Sequence, residues 1–192
     1  MEFLKSLYYS ALESTVWKSF LSHFRWIDWL TLAAVFAGFF WGLKKGLTRA
    51  FLETVTLVLT LALALEFHPQ AVIFLKAHLG FLPDGIVLLT GFLAVAAGCF
   101  FIFRFIFWGL RFILPPADVS LVEITLAIVF NILNQVLLLS LLASAIMMGP
   151  WGGLKPVFGH GDSYTGYSLV RLADRIHTGL HSPLMALRKA IP

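Results

Sequence analysis

Hydrophobic residues fill four long stretches of the chain, and each stretch is almost free of charge. A helix needs about 20 mainly apolar residues to cross a bilayer. The backbone of such a segment must satisfy its hydrogen bonds internally, which favours helices over open strands. The pattern therefore predicts an all-α, polytopic membrane protein with four transmembrane helices, at residues 26–43, 50–67, 86–103 and 124–148.

Two further segments are apolar on one face only. In residues 1–25, apolar side chains recur at helical spacing with charged side chains between them, and in the tail Leu169, Leu172, Ile176 and Leu180 make a similar stripe. Such amphipathic helices lie in the membrane interface. We predict one at each terminus; the first either anchors the first span or binds a partner. The predicted parts are the N-terminal helix (1–25), the four-helix transmembrane domain (26–148) and the C-terminal loop and tail (149–192).

Prolines and arginines give further information about the segments around spans two and three. Pro69 and Pro83 bracket a stretch that is too short and too polar to span, so we expect a separate interfacial helix there. Arg104 and Arg111 are seven residues apart near the end of span three and share a helix face. We expect both arginines to reach lipid headgroups.

Composition supports the bilayer as the solvent. The chain is 59% hydrophobic and 12% charged, whereas soluble domains are about 45–50% apolar and about 25% charged. Cys99 is the single cysteine, so no internal disulfide can form. The net charge of +4 fits topology and lipid contact, and since no basic, aromatic-rich patch is present, we expect no nucleic-acid partner.

Basic residues concentrate between the first two spans. Lys44, Lys45 and Arg49 surround Gly46, which we expect to relax a tight turn. Cytoplasmic loops carry an excess of Lys and Arg close to the spans. We therefore interpret this basic hairpin turn as cytoplasmic, and an even number of spans then leaves both termini periplasmic.

Acidic residues lie near the start of three spans, and the positive end of a helix favours an acidic group there. Asp28, Glu53 and Glu123 are predicted to be polar anchors at these span ends. Glu53 is also four residues after Arg49, a spacing at which the two side chains can pair.

Small residues form a stripe along the first span. Ala34, Gly38 and Gly42 follow one another at intervals of four, and Gly46 continues the series. A smooth face of this kind lets another helix backbone approach closely. That helix belongs either to the same chain, which we favour, or to a second copy.

The fourth span carries an unusual polar face. Glu123, Asn131, Asn134 and Gln135 fall on one side of the predicted helix. Polar groups facing lipid are costly, so this face should point inward. It either makes hydrogen bonds between helices, the simpler interpretation, or lines a polar path or substrate site.

Several of these residues occur in a pattern that resembles the colicin V production protein family (CvpA family) of bacterial inner-membrane proteins. That family opens with a Trp/Ile-Asp pair and a span rich in small residues, followed by a basic-Gly-x-x-basic turn. Here the corresponding residues are "WID" at 26–28 and then Lys45, Gly46 and Arg49.

The fourth span keeps the family's register but changes its residues. Glu123 stands where the family has Asp, Ile124 replaces an Arg, and Asn131 replaces a glycine. Asn134 and Gln135 stand where an Arg-Gly pair is usual. The resemblance extends over about residues 26–148.

The resemblance implies a bacterial inner-membrane protein connected with colicin V production or export and with the cell envelope. We find no signature of a hydrolase, nucleotide-binding protein or metalloenzyme, and His177 and His181 lack a neighbouring third metal ligand. We therefore expect no enzyme activity, cofactor or metal. The sequence favours a non-enzymatic scaffold that contacts the lipid bilayer and other membrane proteins or a second copy. The alternative is a small-solute transporter or channel subunit with a polar path along the fourth span.

Overall fold

The structure, a computed structural model, describes residues 25–78, 81–110, 120–158 and 163–190. Every regular element in these ranges is helical, and four helices are long and apolar enough to cross a membrane. The predicted all-α, multi-pass membrane fold is thus confirmed. Apart from Arg25, the predicted helix at 1–25 lies outside the described residues. The elements are α1 (Trp26–Lys44), α2 (Leu47–His78), α3 (Asp84–Leu110), α4 (Leu121–Met148), a 3-10 turn (Lys155–Phe158) and α5 (Gly166–Ala190).

Carboxylates cap the first turns of α1 and α4. Asp28 Oδ2 accepts a hydrogen bond of 2.9 Å from the Arg25 amide. At α4, Ser120 Oγ accepts from the Glu123 amide at 3.2 Å, and Glu123 Oε2 accepts from the Ser120 amide at 3.4 Å. This reciprocal arrangement satisfies amides that the helix itself leaves unpaired. The two acidic side chains therefore fix where their helices begin.

Helix α2 continues through Pro69, so the separate interfacial helix expected after this proline is wrong. Proline lacks the N–H that would bond the carbonyl four residues earlier, here that of Leu65. His68 Nδ1 lies 2.9 Å from this oxygen and, when protonated, donates to it. The neighbouring histidine thus replaces the missing donor, and the helix does not break.

Helices α1 and α2 are adjacent in sequence but pack on other helices rather than on each other. Only Lys45 and Gly46 separate them, yet beyond this turn they make almost no contact. Helix α1 lies along α4, whereas α2 packs on α3 and α4. Space consequently remains between the diverging helices.

The small-residue stripe of α1 lies against α4 of the same chain. A Cβ added at Gly42 would lie 2.5 Å from Ile128 Cα, and one at Gly38 would lie 2.9 Å from Ile132 Cα. Ala34 packs on a buried cluster farther along the same contact. Because these neighbours are backbone atoms, the absence of side chains at the two glycines sets the distance between the helices.

Helix α5 packs on α2 and α4. Leu169 and Ala173 are buried, and Ile176 packs half-buried beside them. The Ser140 hydroxyl of α4 donates a hydrogen bond to the Leu169 carbonyl. The apolar stripe of the tail thus contacts the bundle, while the position of α5 relative to a membrane interface stays a prediction.

Much of the apolar surface of α1 and α3 remains uncovered. Only 22% of the transmembrane window of each helix is buried, against 50% for α2. In water so large an apolar surface would favour association, whereas in a bilayer it contacts acyl chains. The aromatic residues most exposed on these two helices include Phe36, Phe40, Phe101 and Phe105.

Candidate functional site

The polar face of α4 is buried at its centre. Asn131 and Asn134 are 1% and 4% exposed. Asn131 Nδ2 donates to the Ala127 carbonyl of its own helix at 2.9 Å, and Asn134 Nδ2 donates to the Ala50 carbonyl of α2 at 3.3 Å. Among the described residues, neither Oδ1 atom has a hydrogen-bond donor. A buried acceptor without a donor costs about 1–3 kcal/mol, so burying these two amides is costly, and only the bond of Asn134 joins two helices.

The basic hairpin turn is organised around Glu53. Lys45 Nζ lies 2.6 Å from Glu53 Oε2, and Arg49 Nε lies 3.1 Å from Glu53 Oε1. Lys44 is exposed, and nothing lies within 4 Å of a Cβ added at Gly46. The carboxylate therefore holds two cations in fixed positions, and the turn does not require the conformational freedom of glycine.

A cavity of about 330 Å³ brings the basic turn and the polar face of α4 together. It lies where α1 and α2 diverge, and α3 closes its other side with Arg104 and aromatic residues. Glu123 is not in its wall, because this residue caps α4 instead. The polar and charged lining residues are Lys45, Arg49, Glu53, Thr56, Arg104, Asn131, Asn134 and Gln135.

Charge and aromatic rings give the cavity its chemical character. Three cationic side chains face a single carboxylate, so the lining carries a net positive charge. Lys45 Nζ lies 5.1 Å from the centre of the Trp41 ring, and the Arg104 guanidinium lies 5.8 Å from that of Phe100. Aromatic faces hold cations while leaving their N–H groups available for further hydrogen bonds. The arrangement suits an anionic group with hydrogen-bond acceptors.

A second polar cluster lies at the opposite end of the bundle. Asp28 is 2% exposed, and its Oδ1 accepts from the Thr165 amide at 2.8 Å and from Thr165 Oγ1 at 2.6 Å. Thr31 Oγ1 lies 3.3 Å from Thr165 Oγ1. Asp28 thus ties the start of α1 to the segment that begins α5.

His177, one of the two histidines of α5, contacts α2. His177 Nε2 lies 2.9 Å from Glu66 Oε2, which fastens the second half of α5 to the bundle. The described residues contain no group of three or more potential metal ligands. The expectations of no metal and no cofactor remain predictions.

Sequence reasoning missed the contacts between distant segments. Arg104 was expected at lipid headgroups, and nothing in its spacing indicated that it would border a cavity with the basic turn. The bond between Asp28 and Thr165 joins residues 137 positions apart and had no signal in either segment. The pairing of Arg49 with Glu53 was visible from their spacing; the shorter contact with Lys45 was not.

The helices and the buried polar lining define a multi-pass α-helical membrane protein with a charged cavity at one end. A family model described as colicin V production protein matches residues 27–157, more than half of the chain. The chain therefore belongs to the colicin V production protein family. No curated protein and no solved structure matches it.

Proposed function

We propose that this protein is a non-enzymatic accessory factor of the bacterial inner membrane, which supports colicin V production or export and envelope homeostasis by holding protein partners. The observation that carries the proposal is the family match, because it runs across all four transmembrane helices rather than over one short motif. A scaffold of this kind needs a surface for its partners, and α1 offers one.

The uncovered face of α1 is the surface that we assign to a partner. Phe36 and Phe40 are 58% and 59% exposed there, while the small face of the same helix is occupied by α4. Helices associate in membranes by close packing rather than by hydrophobic burial. The rings of Phe36 and Phe40 offer a large area for van der Waals contact with a partner, because α4 already occupies the small face of α1.

The test combines complementation with cross-linking in intact cells. The chain is expressed in a bacterium that makes colicin V but lacks its own family member, with a photo-crosslinking amino acid at Phe36 or, as the control, at exposed Phe101 of α3. We expect restored colicin V release and one membrane protein captured from position 36 only. Full restoration with no partner captured at either position would contradict the scaffold function.

Transport of a small solute is the second candidate, and the polar cavity is the observation that favours it. Beyond Leu138, however, a groove of about 300 Å³ continues along α4 with apolar lining residues, apart from Gln135 at its start. A polar solute would meet no hydrogen-bonding groups along that part of the path. Reconstituted liposomes test this function: solute flux that is abolished by Asn134→Leu would favour transport over scaffolding.

We also propose that the basic hairpin turn is cytoplasmic and that both termini are periplasmic. The concentration of Lys44, Lys45 and Arg49 beside two spans supports this orientation. In a Cys99→Ala background, exposed Gly46 and exposed Ser168 of α5 are each replaced by cysteine. An impermeant thiol reagent that crosses the outer membrane should label position 168 in intact cells and position 46 only after lysis. Labelling of position 46 alone in intact cells would show that the basic hairpin turn is periplasmic and both termini are cytoplasmic.

A further inference from the structure

The polar cavity adjoins an apolar groove along α4. Gln135 and Leu138 of α4 line both recesses. From there the groove follows α4 to Ala145, and from Asn131 to Ala145 the helix is about 21 Å long. One leaflet of the hydrocarbon core is about 15 Å thick, half of the usual core thickness of about 30 Å. The combined recess is therefore long enough to hold a complete acyl chain, with a charged end and an apolar end.

The charged end lies where lipid headgroups lie. Lys45 directly follows α1, and Arg104 is within two turns of the end of α3. Trp41 and Trp108 line the same cavity and are each 55% exposed. Indole rings prefer the headgroup level of a bilayer, so the cavity opens at the membrane interface.

The cations at this mouth match a phosphate group. The Glu53 carboxylate forms ion pairs with Lys45 Nζ and with Arg49 Nε, and these contacts hold both side chains in place. Arg104 has the Phe100 ring beside it and, in the described part of the chain, forms no ion pair with a carboxylate. A guanidinium with free N–H groups binds phosphate oxygens in bidentate fashion.

Deeper in the wall, two buried amide side chains line the cavity. Asn131 and Asn134 are buried at the cavity and each leaves Oδ1 without a donor among the described residues. A purely structural helix contact would be more stable with apolar side chains at these positions. The two amides therefore extend the polar lining of the cavity inward from the cationic mouth.

We propose that this recess binds one anionic glycerophospholipid, with the headgroup phosphate at Arg49 and Arg104 and one acyl chain directed past Leu138 into the groove. The proposal does not depend on the role in colicin V production. It gives the protein a specific lipid ligand, beyond general solvation by the bilayer.

Native mass spectrometry of the purified full chain tests the lipid class. The probes are phosphatidylglycerol and phosphatidylcholine with identical acyl chains. We expect phosphatidylglycerol to remain bound as a single adduct and phosphatidylcholine to dissociate. Equal retention of the two lipids would overturn the proposal, and this comparison needs no variant. Displacement of phosphatidylglycerol by millimolar inorganic phosphate or glycerol phosphate would show that the site takes a free anion and would overturn the lipid assignment.

Two variant pairs test the residues. Arg104→Gln should weaken phosphatidylglycerol binding about tenfold, whereas Arg171→Gln should change it less than about twofold. Arg171 is a matched control, since it is exposed and lies 5.8 Å from the Tyr167 ring, as Arg104 does from Phe100. Equal losses of phosphatidylglycerol affinity in the two variants would show that only the overall surface charge matters, and would overturn the assigned site.

The groove has its own pair of variants. Leu138→Trp places a bulky ring at the passage from the cavity to the groove, and exposed Leu133 on another part of α4 provides the control variant Leu133→Trp. We expect only Leu138→Trp to weaken phosphatidylglycerol binding. Unchanged binding in a folded Leu138→Trp protein would overturn the placement of the acyl chain.

Discussion

Replacing Gly42 by alanine tests the contact that holds α1 against α4. The added Cβ would lie 2.5 Å from Ile128 Cα and 3.0 Å from Ile128 N, whereas ordinary contacts begin at 3.4 Å. Backbone atoms cannot rotate away, so the two helices must separate by about 1 Å, and overpacking of this kind costs about 1–3 kcal/mol. Alanine also favours helix over glycine by about 0.5–1 kcal/mol, which a suitable control must cancel.

Gly98→Ala in α3 supplies that control, since nothing lies within 4 Å of a Cβ added there. We expect Gly42→Ala to be less stable than Gly98→Ala by about 1–3 kcal/mol. Gly38→Ala should fall between them, because its closest contact, Ile132 Cα, is 2.9 Å away. The free energy of unfolding is measured by titration with a denaturing detergent, followed by tryptophan fluorescence. Equal stabilities of the Gly42 and Gly98 variants would refute the close approach of α1 and α4.

Three other substitutions probe polar contacts by the same titration. Asp28→Asn should cost about 1.5–3 kcal/mol, because the charge that accepts two bonds from Thr165 is lost; no loss would mean that the tail segment is not held there. His68→Ala should cost about 0.5–1.5 kcal/mol but almost nothing in a Pro69→Ala background, where the restored N–H reaches the same carbonyl; absence of coupling in this double-mutant cycle would contradict the account of the unbroken helix. Asn134→Leu should change stability by less than about 1 kcal/mol, because its one bond is 3.3 Å long and its Oδ1 is unpaired; a loss above about 2 kcal/mol would show a better-satisfied amide.

The four spans could be predicted from the sequence because apolar length alone decides whether a helix crosses a bilayer. The predicted first span, 26–43, differs from α1 by one residue at its end. Spans two to four begin within three residues of the predicted positions. The end of α2 was not predicted, because a proline usually ends a helix. Here the His68 side chain lies against the Leu65 carbonyl that Pro69 leaves without a donor, and the helix continues.

The cavity could be predicted only in part. The basic turn and the polar face of α4 were each visible as local patterns, since both depend on spacing within one helix or turn. The basic turn and the polar face share one cavity because α1 packs along α4 rather than on α2. The order of the spans in the chain would instead suggest that α1 packs on α2. Arg104 joins them from α3 through the same arrangement, which no local spacing specifies.

The position of α4 as common partner of α1, α2 and α5 has a consequence for biosynthesis. Ala50 and Asn134, which are bonded in the native bundle, are 84 residues apart. At a translation rate of about 5–20 residues per second, roughly 4–17 s pass between the emergence of the first and the second from the ribosome. During that interval the glycine face of α1 has inserted but has no native partner. A nascent chain that stalls before α4 therefore leaves the glycine face of α1 in the membrane without the helix that covers it in the native bundle.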